Sequence, residues 1–271
     1  MIQYCNFFLI GILFVVSCSG DGAEDSIEDF LFIAGITDAQ MTSSGITYDI
    51  TDNGTGLISE TDYILFHLRQ LDSGNNIIGE TFNSDFPIAQ AVEGTFTGFK
   101  EAVQLIGDGG EITMILPAAL TEGLISEGII IYEINILGVY ESKEEYNDSL
   151  IVDYLIENDL DSAAMRLDTG VYIIIEEAGE EERPAAGTQV TVNYRGFLLN
   201  RVEFDRTFNE PLTISLNGVI PGWQIGIPQF GRGGKGMLFI PSNLAYDEEG
   251  QGTIPPNYPI AFEIELVDFD E

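Results

Sequence analysis

At 271 residues, with 45% hydrophobic and 11% aromatic content, the chain can fill the cores of two ordinary domains, which excludes a disordered polymer. Its 45 acidic residues against 10 basic ones give a formal net charge of -35, which repels phosphate backbones, so nucleic acid is not an expected partner. Both cysteines, Cys5 and Cys18, stand near the amino terminus, so the rest of the chain can hold no disulfide and no cysteine-rich metal site.

The first element is the apolar run Phe7 to Val16, FFLIGILFVV. It is too short to cross a bilayer as a stable helix and suits the apolar region of a signal peptide over residues 1–17. The sequence VVSC at Val15 to Cys18 follows, and it resembles the lipobox of bacterial lipoproteins. That resemblance implies cleavage before Cys18 and lipidation of its thiol, hence a membrane anchor and a lipid-anchored place in the cell envelope, at the outer membrane, facing the periplasm or the surface. Leucine is more usual where Val15 stands, and no lysine or arginine precedes the apolar run. The bland reading is a secretory signal cleaved near Ser17. Residues 18–40 form an acidic spacer, SGDGAEDS, and a short amphipathic helix over Ser26 to Ile33. Similar acidic segments accompany surface display in Bacteroidetes-like lipoproteins.

Beyond the spacer the chain repeats itself. MTSSGITYDITDNGTG at Met41 to Gly56 parallels MRLDTGVYIIIEEAG at Met165 to Gly179, TGFKEAV at Thr97 parallels PGWQIGI at Pro221, and LPAAL at Leu116 parallels IPSNL at Ile240. These matches predict a domain over residues 41–140, a helical linker over 141–164 and a second domain over 165–271. In the linker, Leu150, Ile151, Tyr154 and Leu155 recur at helical spacing, and the charged, small-residue stretch Glu141 to Asp148 is the expected hinge.

Within the second domain, QVTVNY at Gln189, LTISL at Leu212, KGMLFI at Lys235 and IAFEIELV at Ile260 alternate apolar and polar residues as half-buried antiparallel strands do. Pro221 to Ile227 is the one short segment that fits a buried helix. The fold class is therefore α+β: a twisted antiparallel sheet wrapped round a short helix, with a concavity between them.

Five signals in this domain, Y-x-G-x-L with F-D from Tyr194, V-I-x-G-W at Val219, I-P-x-x-L-A-Y at Ile240, I-P-P-N at Ile254 and F-E-I-E-L at Phe262, occur together in order. Over roughly Gly187 to Val267 the chain resembles the FKBP-type peptidyl-prolyl cis/trans isomerases, and the repeat then implies two tandem FKBP-like domains. The resemblance implies catalytic positions at Tyr194, Phe204, Asp205, Ile220, Trp223, Tyr246 and Phe262. It adds a substrate-binding lining from Leu212, Val219 and Ile254. Trp223 would floor the pocket, the Ile220 amide and the Tyr246 hydroxyl would hold substrate carbonyls, and Asp205 would act electrostatically. It further implies proline-containing polypeptide clients and no metal or cofactor. Leu212 replaces a usual phenylalanine, and the loop from Asp247 to Thr253 is about one residue short of the common family length.

By the same alignment the first domain carries His67, Phe99, Glu122 and Tyr132 where the second has Tyr194, Trp223, Tyr246 and Phe262, and nothing clear for Phe204 and Asp205. It is thus expected to be a degenerate copy, structural or peptide-binding. His67, the only histidine, has no metal-ligand partner at suitable spacing. Asp52-Asn53-Gly54 and Asp72-Ser73-Gly74 read as turns rather than calcium loops, and FGRGGKG at Phe230 as a tight hairpin rather than a phosphate loop. The expectation is an envelope folding helper that isomerises X-Pro bonds; the alternative is a non-catalytic peptide-binding or surface-interaction lipoprotein.

Overall fold

The computed structural model of the chain describes residues 27–270 apart from 73 and 127. The signal-peptide segment, the lipobox and Cys18 lie outside the described residues. No helix among the described residues is long and apolar enough to cross a membrane. The chain divides into two compact units between Lys143 and Glu144.

The first unit contains α1 (Ile27–Ala34), β1 (Gln40–Met41), β2 (Thr47–Asp52), β3 (Tyr63–Leu71), β4 (Ile77–Glu80), β5 (Ile88–Ala91), α2 (Thr97–Val103), β6 (Glu111–Pro117) and β7 (Ile129–Tyr140). Helix α3 (Lys143–Glu157) leads into the second, which continues with β8 (Met165–Arg166), β9 (Tyr172–Glu177), β10 (Gln189–Leu198), β11 (Glu203–Arg206), β12 (Leu212–Ser215), α4 (Pro221–Gly226), β13 (Gly234–Ile240) and β14 (Ile260–Phe269). Most of the stretch expected as a hinge, from Lys143 to Asp148, is helical.

Each unit is one antiparallel sheet, and the two sheets share a topology. The first runs β1-β2-β6-β7-β3-β4 with β5 on β3; the second runs β8-β9-β13-β14-β10-β11 with β12 on β10. The sequence repeat is thus a repeat of the fold. Alternation sets the two faces: Val190 and Val192 of β10, Leu238 and Ile240 of β13, and Phe262, Ile264 and Leu266 of β14 are buried on one side. On the other side, Ile151, Tyr154 and Leu155 of α3 pack with Tyr172, Phe197, Phe239 and Ala261. Phe30 of α1 does the same in the first unit against Leu71, Ile115 and Ile131. Burying such a side chain contributes about 1.5–3 kcal/mol, which is why these short helices hold to their sheets.

On the concave side α4 lies against β13 because two of its residues lack a side chain. A Cβ on Gly222 would sit 2.3 Å from Ile240 Cγ2, and one on Gly226 would sit 2.4 Å from Leu238 Cδ1. The turns behave as the composition suggested: the Asp52 carboxylate accepts the Gly54 N–H at 2.9 Å and that of Asp72 accepts the Asn76 N–H at 2.8 Å.

Gly226→Ala decides between two opposed effects. Helix propensity alone would stabilise the variant by up to ~1 kcal/mol. The collision with the fully buried Leu238 should win and cost about 1–3 kcal/mol in denaturant unfolding; a more stable variant would mean that α4 does not sit on β13 as described.

Candidate functional site

Between α4 and the sheet of the second unit, aromatic rings meet in edge-on contact. Trp223, the second residue after the α4 N-terminal proline, is 5% exposed, and its ring centroid lies 5.1 Å from that of Phe262 at 77° and 5.0 Å from that of Tyr194 at 82°. Phe204 meets Phe262 at 5.6 Å and 90°. Edge-to-face pairs of this kind are favoured by the ring quadrupole and fix each ring against its neighbours. The cluster needs Gly196 on β10, opposite Phe262 on β14: a Cβ there would lie 2.6 Å from Phe204 Cε2 and 2.8 Å from Phe262 Cε1.

The polar groups stand at the edge of this apolar floor. The Tyr194 hydroxyl donates to Asp205 Oδ2 at 2.7 Å. Its backbone is fixed as well, with the Tyr194 N–H donating to Thr207 Oγ1 at 3.1 Å and its carbonyl accepting the Thr207 N–H at 3.0 Å. Burial, then the hydrogen bond to Asp205 and its charge, push the Tyr194 phenol well above the ordinary tyrosine range. Tyr246 is raised by burial and secondly by the charge of Asp205, so the same carboxylate favours the protonated form of both phenols.

The remaining expected residues fall as follows. Ile220 caps α4, its carbonyl accepting the Trp223 N–H at 3.0 Å, and the Val219 carbonyl accepts Gln224 Nε2 at 2.9 Å. Ile254 is buried beneath the loop after Tyr246, in mutual backbone bonds with Gln251. Leu212 opens β12 opposite Val192 and is 37% exposed. Ring contacts and hydrogen bonds thus join Tyr194, Phe204, Asp205, Trp223 and Phe262, and the Asp205 field reaches Tyr246; Ile220, Val219, Ile254 and Leu212 are placed by the elements they end or begin. Gly196 entered the sequence reading only as the glycine of Y-x-G-x-L, without a role of its own, and Thr207 was not singled out; a glycine inside a strand was the available signal for the former.

The first unit corrects one expectation. Thr81 Oγ1 accepts the Leu68 N–H at 2.9 Å, the same bond that Thr207 makes to Tyr194, so Leu68 and not His67 occupies the Tyr194 position. One residue along a strand moves a side chain to the opposite face. His67 is therefore on the other face, against Thr81 Oγ1 at 3.2 Å and stacked on Phe82, with burial lowering its pKa. Strand register also supplies the missing partners: Gly79 stands where Asp205 does, and Gln70, 2% exposed, stands where Gly196 leaves room for rings. Glu122, in the Tyr246 position, accepts the Thr97 N–H at 3.0 Å and caps α2. Burial alone pushes the Tyr132 phenol up to about 12.

Residues 180–267 match the sequence model of a family described as FKBP-type peptidyl-prolyl cis-trans isomerase. The chain is 44% identical over 102 residues to the FKBP-type peptidyl-prolyl cis-trans isomerase FkpA of Escherichia coli (strain K12), covering 37% of this chain and 38% of that protein. To the probable FkpA of Neisseria meningitidis serogroup B it is 31% identical over 172 residues, 62% of each chain. The crystal structure of Escherichia coli FkpA overlaps 46% of this chain and 60% of that one at 37% identity, with a TM-score of 0.43. The chain therefore spans well under two thirds of the Escherichia coli relative.

A difference titration of tyrosinate absorbance, wild type minus Tyr194→Phe, should find the Tyr194 phenol still protonated above pH ~10, where ordinary tyrosines ionise. Because its folded pKa is raised, the stability linked to it is present below about pH 10 and is lost as pH rises further. Asp205→Asn should bring the Tyr194 phenol down part of the way, since burial, the largest cause, remains. An unchanged titration in that variant would contradict the hydrogen bond.

Proposed function

We propose, from the premise that the carboxy-terminal unit is an FKBP-family domain, that this unit rotates X-Pro amides in the aromatic pocket over Trp223. The observation that carries the proposal is the cluster in which Trp223, Phe262 and Tyr194 pack against one another and Phe204 against Phe262, with one carboxylate, Asp205, bonded to Tyr194 at its edge.

Amide resonance opposes the rotation with a barrier of about 18–20 kcal/mol, and X-Pro bonds exchange over tens to hundreds of seconds unaided. No bond is made or broken. At the perpendicular transition state conjugation is lost and the amide carbonyl is less polar, so a dry aromatic surface penalises that state less than it penalises the planar amide. The Trp223 indole forms the floor for the prolyl ring. The Ile220 N–H and the Tyr246 hydroxyl, kept protonated by its surroundings, supply fixed donors to substrate carbonyls, while Asp205 stabilises the rearranged charge beside the twisting bond. Val219, Ile254 and Leu212 extend the apolar lining toward residues flanking the proline. No proton transfer or nucleophile is required of any group.

The clients are proline-containing polypeptides, and the proposal includes a lipid anchor on Cys18 that holds the protein in the cell envelope. The apolar run before Cys18 and the acidic spacer after it support this reading. The first unit is a non-catalytic companion. Leu68, Gly79 and Glu122 replace the three polar groups of the site, and Gln70 fills the space that the ring cluster uses.

Two expected outcomes test the proposal. The full chain should accelerate cis/trans exchange of a short X-Pro peptide, and Asp205→Ala should lower kcat/KM by roughly 10- to 1000-fold with the protein still folded. A folded wild type without acceleration would reduce the pocket to a binding groove. In cells, a labelled fatty acid should enter the wild-type protein and not Cys18→Ala; equal labelling, or none in either, would remove the anchor from the account.

A further inference from the structure

Helix α3 carries one polar residue on the face it buries. Asn147 precedes Ile151 by one helical turn, lies on the same side as Tyr154 and Leu155, and is 1% exposed. Its Oδ1 accepts the Ser242 N–H at 2.6 Å, and its Nδ2 donates to the Asn257 carbonyl at 3.3 Å.

Those two backbone groups sit near opposite ends of the segment that joins β13 to β14 and carries Tyr246 and Ile254. The segment is also tied to itself. The Asp247 N–H donates to the Ser242 carbonyl at 2.9 Å and the Asn257 N–H to the Asp247 carbonyl at 2.7 Å. Asp247 and Asn257 both take left-handed backbone conformations, at φ 45° and 58°. Ser242, Asp247 and Asn257 thus form a small hydrogen-bonded knot immediately beside Tyr246. Asn147 reaches it from another element.

An amide suits this position because one planar group both donates and accepts. A carboxylate has no donor for the Asn257 carbonyl, and an apolar residue would leave a buried N–H and a buried carbonyl without that partner.

We infer that Asn147 is a positioning residue for Tyr246: helix α3 sets where the phenol stands over the prolyl pocket, so the working site begins at α3 rather than at β8. The inference rests on the isomerase reading above. Asn147 touches no reacting atom and acts through the loop.

The test uses the full chain, with kcat and KM for exchange of an X-Pro peptide measured for wild type, Asn147→Ala, Tyr246→Phe and the double variant. Asn147→Ala should lose roughly tenfold in kcat/KM, as expected for a displaced substrate-holding group. The same change in the Tyr246→Phe background should cost little, because the group it positions is already gone. The Tyr246 phenol should also titrate nearer the ordinary tyrosine range in Asn147→Ala. Ser242→Pro offers the same deletion from the other side, since Ser242 is the first residue of a 3-10 turn and Pro241 before it is already extended at ψ 153°. It should reproduce the loss if Asn147→Ala fails to fold. Full activity in Asn147→Ala, or losses that multiply in the double variant, would overturn the inference while leaving the isomerase reading intact. An inactive wild type would overturn both.

Discussion

The edge-on packing of Trp223 against Phe262 and Tyr194 is the contact on which the rest of the second unit depends. Three elements distant in sequence, α4, β14 and β10, each supply one of these rings, and each ring is held by the other two. The backbone had to yield space for them. Gly222 and Gly226 let α4 down onto β13, and Gly196 clears the sheet beneath Phe204 and Phe262. The dry surface proposed to lower the rotational barrier is therefore also the core that closes the fold, and the polar groups are confined to its edge.

The two units separate fold from chemistry. They share strand order, register and the packing of a helix on the outer face, so nothing in the topology distinguishes them. The difference lies in a few side chains. Gln70 occupies the position of Gly196, Leu68 that of Tyr194, and Gly79 that of Asp205. Phe99 and Tyr132 put aromatic rings where Trp223 and Phe262 stand, and there they pack with Phe66 and Phe96. Aromatic volume stands at matching core positions in both units, while the polar groups beside it differ.

Much of this was legible in the sequence because it rests on short-range regularities. The alternation in QVTVNY and IAFEIELV identifies strands and their buried faces, the Pro221 start marks the single inner helix, and the recurrence of glycine-strand-glycine segments marks the duplication. The site was legible where rings and carboxylate sit within recognisable motifs, as with Tyr194, Asp205 and Trp223. The assignment of His67 to the Tyr194 position was wrong because apolar residues stand at both parities of β3; Leu65, Phe66 and Leu68 let the alignment slip by one, and the Thr81 bond and the strand register fix the phase. Asn147 was invisible for another reason. Its partners are backbone groups about 95 and 110 positions away, and a backbone amide leaves no mark on residue identity.

The most direct measurement uses the fact that the chain has a single tryptophan. The one indole N–H resonance should shift saturably as an exchanging X-Pro peptide is added, over the same concentration range in which the cis and trans peptide signals broaden into one another. That joint response would place rotation on Trp223. Accelerated peptide exchange with an unmoved indole would put the chemistry elsewhere in the chain and contradict the account.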